Sequence, residues 1–123
     1  MDTLFFEGTE DTPEVNFNPE NNIFSISGKS LPENAVDFYK PIFDWLEQYK
    51  YNTNPVTYFD FKLDYFNTSS AKQITKILLF LEKLSIDYKI IIRWYYRLED
   101  VDMLSSGTRY SKLINLNFEL LEY

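Results

Sequence analysis

The chain contains no cysteine and no histidine in its 123 residues. These absences exclude disulfides, zinc sites built on thiolate or imidazole, and Cys–His or Ser–His nucleophile pairs. Catalysis would have to run on carboxylates, lysine, tyrosine or a bound metal. Glycine is scarce, with only Gly8, Gly28 and Gly107. No glycine-rich loop is available to cradle phosphates, which argues against a nucleotide-dependent enzyme. Positive charge is also short: 12 Lys and Arg stand against 19 Asp and Glu, a net charge of −7. An acidic surface repels phosphate backbones, so no nucleic-acid partner is expected. No apolar run is long enough to span a membrane and no basic amphipathic segment suggests a membrane surface. Met1 to Asp11 is acidic and lacks the apolar stretch of a signal peptide. The expectation is a cytoplasmic protein with no metal, no cofactor and one hydrophobic core, which 123 residues suffice to build.

Aromatic residues, by contrast, are abundant: 11 Phe, 10 Tyr and 2 Trp. The core can absorb many of them, and half-exposed tyrosines favour partner contacts. Residues 1–12 are polar and read as a loosely ordered segment on which Leu4-Phe5-Phe6 can dock; residues 13–123 read as one domain. Val15 and Phe17, then Phe24 and Ile26, alternate with polar neighbours around the turn-forming Asn18-Pro19-Glu20-Asn21-Asn22, the pattern of a hairpin. Ser30 with Glu33 matches a capping box, and a helix to about Tyr49 follows, with Ala35, Tyr39, Ile42, Leu46 and Tyr49 on its buried stripe. Pro41 inside it should kink it. Thr57 to Tyr65 alternates as a strand, with Phe59, Phe61, Leu63 and Tyr65 on one side. Tyr88 to Tyr95 is nearly all apolar and suits an interior strand covered on both faces. Glu99 to Ser111 is mixed, with Gly107 as a turn or helix end, and Asn117 to Glu122 reads as a last strand. The order β-β-α-β-α-β-(α)-β implies a single-domain α/β fold, a mixed sheet with helices packed on it.

The segment richest in chemical possibility is Tyr65-Phe66-Asn67-Thr68-Ser69-Ser70. A strand pattern stops there and a helix with Ile74, Ile77, Leu78 and Leu81 on one face begins. Ser70 with Gln73 makes a second capping box. Three hydroxyls thus sit by a helix N-terminus, where unpaired amides and the dipole favour negative charge. Taken alone, the cluster reads as capping and turn chemistry. Along the same helix Leu79 shares a stripe with Lys72, Lys76 and Lys83, opposite the apolar face. An apolar residue among lysines suits a docking surface for an acidic-rimmed partner, although an isolated exposed leucine is ordinary. The acidic turn Glu99, Asp100 and Asp102 lacks the spacing of a calcium loop and reads as solvated.

Further residues bring a family into view. Thr12-Pro13 precedes Val15 and Phe17; Ile26-Ser27-Gly28 and Pro32-Glu33-Asn34-Ala35 follow, with Pro41 in the first helix. Tyr65 to Lys72, Arg93-Trp94-Tyr95-Tyr96, then Asp100, Asp102, Met103, Gly107 and Tyr110 complete the set. Over nearly its whole length the chain resembles the SiaC-type regulatory phosphoproteins, which are similar in fold to the STAS-like anti-sigma-factor antagonists. The resemblance implies phosphorylation of Thr68, with Ser69 and Ser70 as runners-up, by a dedicated Ser/Thr kinase, and reversal by a metal-dependent phosphatase. It further implies that the unphosphorylated form binds and controls an effector such as a diguanylate cyclase. Asn67, Ser69, Lys72, Lys76 and Leu79 are the expected partner-binding residues, and no residue is assigned a catalytic role. The chain departs from the family pattern at Arg97 and Leu98, where members tend to be acidic. A constitutive interaction module and a small hydrolase working on carboxylates are the alternative readings.

Overall fold

The hairpin read between Val15 and Ile26 is part of a six-stranded sheet. The structure, a computed structural model, describes residues 1–123. Its elements are β1 (Leu4–Phe6), β2 (Glu14–Asn18), β3 (Ile23–Ser30), α1 (Ala35–Tyr49), β4 (Val56–Phe66), α2 (Thr68–Leu84), β5 (Lys89–Tyr96), α3 (Val101–Leu113) and β6 (Asn117–Glu122). The strands lie in chain order across the sheet. β1, β2 and β3 pair antiparallel, and β3 to β6 pair parallel. Leu4–Phe6, expected only to dock, is hydrogen-bonded to β2 as the edge strand. Asn22 takes the left-handed conformation (φ 53°) that closes the β2–β3 connection, a position an asparagine tolerates well.

Three crossovers, β3-α1-β4, β4-α2-β5 and β5-α3-β6, step the same way along the sheet. With the usual right-handed connection they place all three helices on one face. The burial agrees. Phe17, Phe24, Phe59, Phe61, Ile92 and Trp94 share one core with Ile42 and Leu46 of α1, Ile74, Ile77 and Leu78 of α2, and Tyr110 of α3. Each such side chain removed from water contributes about 1.5–3 kcal/mol. β5 is therefore interior to the sheet but covered on only one face, which corrects the expectation of two. Its other face carries Arg93, bonded twice to Asp60 of β4 at 2.6 and 3.1 Å and lying 4.7 Å from the Tyr58 ring. That pair lets an otherwise apolar strand present a charge to the open side.

Three further local expectations are corrected. Tyr65 is not on the core side. Gly28 pairs with Leu63 and Lys29 with Tyr65, so Asp64 is an extra residue on β4. This bulge flips the alternation, exposing Tyr65 and turning Phe66 inward against Trp94. Gly107 ends nothing: it lies in the middle of α3, where a Cβ would collide with the Trp94 ring and come within 2.9 Å of Leu120 Cδ2. The glycine lets α3 lie close on β5, and the Trp94 indole donates to the Met103 carbonyl at 3.0 Å. Neither Ser30 nor Ser70 caps a helix; Asn34 and Asn67 do, accepting from the Asp37 and Ser70 amides at 3.1 and 2.9 Å. Pro41 stands inside α1, and the helix continues through it from Ala35 to Tyr49.

Candidate functional site

The turn from β4 into α2 is held by Asn67, with help from the Ser30 carbonyl. Asn67 holds an extended backbone conformation (φ −82°, ψ 176°) and its side-chain oxygen takes up the Ser70 amide. Asparagine caps a helix as well as serine does. Its own amide donates to the Ser30 carbonyl at the end of β3, at 3.2 Å. Thr68, Ser69 and Ser70 thereby become the first three helical residues. Thr68 and Ser69 are exposed, and Ser70 is completely buried. The amides of Thr68 and Ser69 belong to the first turn and have no partner within the helix.

Beneath the turn lies a closed chain of hydroxyls. Tyr39 of α1 donates to Ser30 Oγ at 2.7 Å, Ser30 Oγ donates to Ser70 Oγ at 2.8 Å, and Ser70 Oγ donates to the Ser30 carbonyl at 2.9 Å. The direction at Tyr39 follows from proton counting, since Ser30 has one hydroxyl proton and Ser70 receives it. No buried side-chain polar atom is left without a partner. Burial pushes the Tyr39 phenol up to about 12, a rise that its serine partners moderate. The end of β3, the start of α1 and the start of α2 are tied together through this node. Thr68 stands outside it, so its hydroxyl can react without breaking a structural bond.

The neighbouring surfaces differ in sign. On the outward stripe of α2, Lys72, Lys76 and Lys83 are exposed with Leu79 among them, 43% exposed. None of these lysines has a carboxylate within ion-pair reach. Lys72 is one turn beyond Thr68, a spacing at which helical side chains meet. Toward α3, a cleft of about 190 Å³ is lined by Asp64, Asp100 and Asp102 with Tyr65, Phe66, Met103 and Ser106. Asp100 caps α3 through the Met103 amide at 3.0 Å, and Arg97 reaches Asp64 at 3.8 Å. No acidic cluster in the chain has the makings of a metal site. The structure thus gathers Asn67, Thr68, Ser69 and Lys72 at one helix end, strings Lys76 and Leu79 along the same helix, and withdraws Ser70 into the core.

Sequence reasoning missed the capping roles of Asn34 and Asn67, and it placed Tyr39 on the buried stripe without its hydroxyl bond to Ser30. The available signal was an asparagine three residues before the amide it caps in both helices. It was masked by the Ser-x-x-Glu and Ser-x-x-Gln patterns beside it.

Comparison with known proteins bears on the family and the fold. Residues 6–123 match the SiaC family regulatory phosphoproteins. An uncharacterized protein of Pseudomonas aeruginosa (strain UCBPP-PA14) is 31% identical over 97 residues, covering 78% of this chain and 77% of that protein. The crystal structure of apo-SiaC from Pseudomonas aeruginosa superposes with a TM-score of 0.86 at 25% identity, over 98% of this chain and 99% of that one. A chain in the crystal structure of the diguanylate cyclase SiaD with its activator SiaC, from the same organism, superposes with a TM-score of 0.88 at 24% identity, over 98% and 99%. The last similarity speaks to the fold.

Proposed function

The chain belongs to the SiaC family of regulatory phosphoproteins, and from that premise we propose that it is a switch read out at Thr68. In this reading a Ser/Thr kinase phosphorylates Thr68, a metal-dependent phosphatase restores it, and the unmodified protein engages an effector. A diguanylate cyclase is the effector we favour, since SiaC is the activator of the cyclase SiaD in the complex from Pseudomonas aeruginosa. The protein itself performs no catalysis in this scheme. No helix is long and apolar enough to cross a membrane, in keeping with a cytoplasmic regulator.

One observation narrows the choice of residue. Of three adjacent hydroxyls, Thr68 and Ser69 are exposed beyond a cap that uses neither, while Ser70 is buried and bonded to Ser30; between the two exposed hydroxyls, the family resemblance favours Thr68. A phosphate adds about −1.5 to −2 charge. At the N-terminus of α2 that charge meets free amides and the favourable end of the dipole, worth about 0.3–1 kcal/mol. Modification therefore leaves the fold intact and acts on the surface. It places negative charge at the start of a lysine-bearing stripe and opposes an acidic partner there. A switch requires only about 1–3 kcal/mol of coupling between modification and binding. Asn67, Ser69, Lys72, Lys76 and Leu79 form the partner surface in this account.

Peptide mapping by mass spectrometry of protein from its own cells, before and after phosphatase treatment, tests the assignment. One phosphoryl group on Thr68, removed by the phosphatase, is the expected result. A phosphate on Ser69, or none under any growth condition, contradicts it.

A further inference from the structure

α2 has one acidic residue, Glu82, and its carboxylate is turned aside to accept the Asn115 amide at 2.6 Å. The outward stripe of this helix is therefore purely cationic, on a chain whose net charge is −7. Lys72 and Lys83, with Lys76 between them, stand eleven positions apart, about 17 Å or three turns. At the far end the stripe runs into a pocket of about 380 Å³ between the C-terminal ends of α1 and α2, lined by Glu47, Lys50, Phe80, Lys83, Leu84, Asp87 and Tyr88. Phe80, Leu84 and Tyr88 give it an apolar wall, and Leu79 stands exposed on the crest one turn before. Charge on the ridge and an apolar recess at its end match a helix laid along a groove.

We propose that this ridge and pocket seat an acidic amphipathic helix of the effector, with carboxylates on Lys72, Lys76 and Lys83 and a large apolar side chain in the pocket. The inference rests on the switch reading for the identity of the effector. The chain's own helices do not match the ridge. On α1, Asp44 and Glu47 are held by Lys40 and Lys50 at 2.9 Å each, which leaves Asp37 of the first turn as its one unpaired carboxylate, and α3 carries Asp102 alone. A phosphate on Thr68 would compete for Lys72 from within the helix, which joins this surface to the switch.

Nuclear magnetic resonance with a synthetic peptide tests the surface without the effector. The probe is an amphipathic helix of about fifteen residues, with glutamates on one face, leucines on the other and a terminal tryptophan. Amide shifts centred on Lys76, Leu79, Phe80, Lys83 and Tyr88 are expected. Reversing two charges on the ridge (Lys76→Glu with Lys83→Glu) should weaken peptide binding about ten-fold or more. The same change on the outer side of α3 (Arg109→Glu with Lys112→Glu) should leave it within about two-fold. Shifts on the open sheet face, equal effects of the two reversals, or no shift up to roughly 1 mM peptide would overturn the proposal. So would self-association through α2 that excludes the peptide. The ridge reversal is then carried to the full-length cyclase. Loss of cyclase binding supports the proposal, and wild-type affinity in the ridge variant overturns it. Peptide binding to the ridge with no cyclase binding by the wild-type chain instead overturns the choice of effector and supports the ridge.

Discussion

At the scale of single residues, the account depends on which hydroxyls are structural. Tyr39, Ser30 and Ser70 are, because each is buried and each has its partner. The raised phenol of Tyr39 makes this measurable. Its neutral form is favoured in the folded state. The corresponding stability is fully present below the unfolded value near 10 and is lost as pH rises toward 12. The loss is on the order of 2–3 kcal/mol. Tyr39→Phe should lower stability at neutral pH by about 1 kcal/mol through the missing hydrogen bond and should reduce the alkaline decline. Tyr49, whose phenol burial also raises, preserves part of that decline. Urea midpoints measured from pH 8 to 12 would show this; parallel profiles for the two proteins would contradict it. Such polar positions were the least legible in the sequence. Ser30 and Ser70 looked like caps because hydroxyl residues at those spacings usually are. Whether Ser70 faces solvent or a buried hydroxyl is decided by Ser30, forty residues away in the chain. Gly107 was misread for the same reason, since its partners Trp94 and Leu120 lie on other elements.

Elements as wholes were far more legible. The buried stripe of α1 and the apolar face of α2 came out of the sequence except for Trp45, Gln73 and Leu84, because many positions vote for one periodicity. Starts and bulges depend on one residue each and were displaced: the helices open at Asn34 and Asn67, and β4 carries an extra residue at Asp64. The start of α2 matters to the proposed switch because it fixes Thr68 at the first helical position. Asn67→Ala should cost about 1 kcal/mol of stability and speed amide exchange over the first turn of α2. Ser69→Ala, next to it and exposed, should change stability by about 0.5 kcal/mol or less. Chemical denaturation and hydrogen exchange check both. Equal stability of Asn67→Ala and the wild type would mean that something else caps α2, and the placement of Thr68 would lose its support.

For the whole molecule, strand order and crossover direction put every helix on one side of the sheet and every helix N-terminus at one end. This topology was legible in the alternation of strand and helix patterns, and the bare face of the sheet was not. The apolar run of β5 suggested two covers because Arg93 could not be seen paired with Asp60. Thr68 lies at the end of the fold where anions are favoured, yet on a chain of net charge −7. Local tolerance of the phosphate and repulsion of an acidic partner are therefore compatible. The central claim is that phosphate on Thr68 lowers affinity for the effector without altering the fold. Titration calorimetry of the cyclase against three forms of the chain tests it: unmodified, stoichiometrically phosphorylated on Thr68, and Thr68→Asp. The account predicts tightest binding by the unmodified form, binding weaker by about ten-fold or more, or roughly 1.4 kcal/mol, in the phosphorylated form, and a partial loss in Thr68→Asp. The three should show the same circular dichroism. Equal affinities across the three forms would contradict the switch and leave a constitutive interaction module in its place.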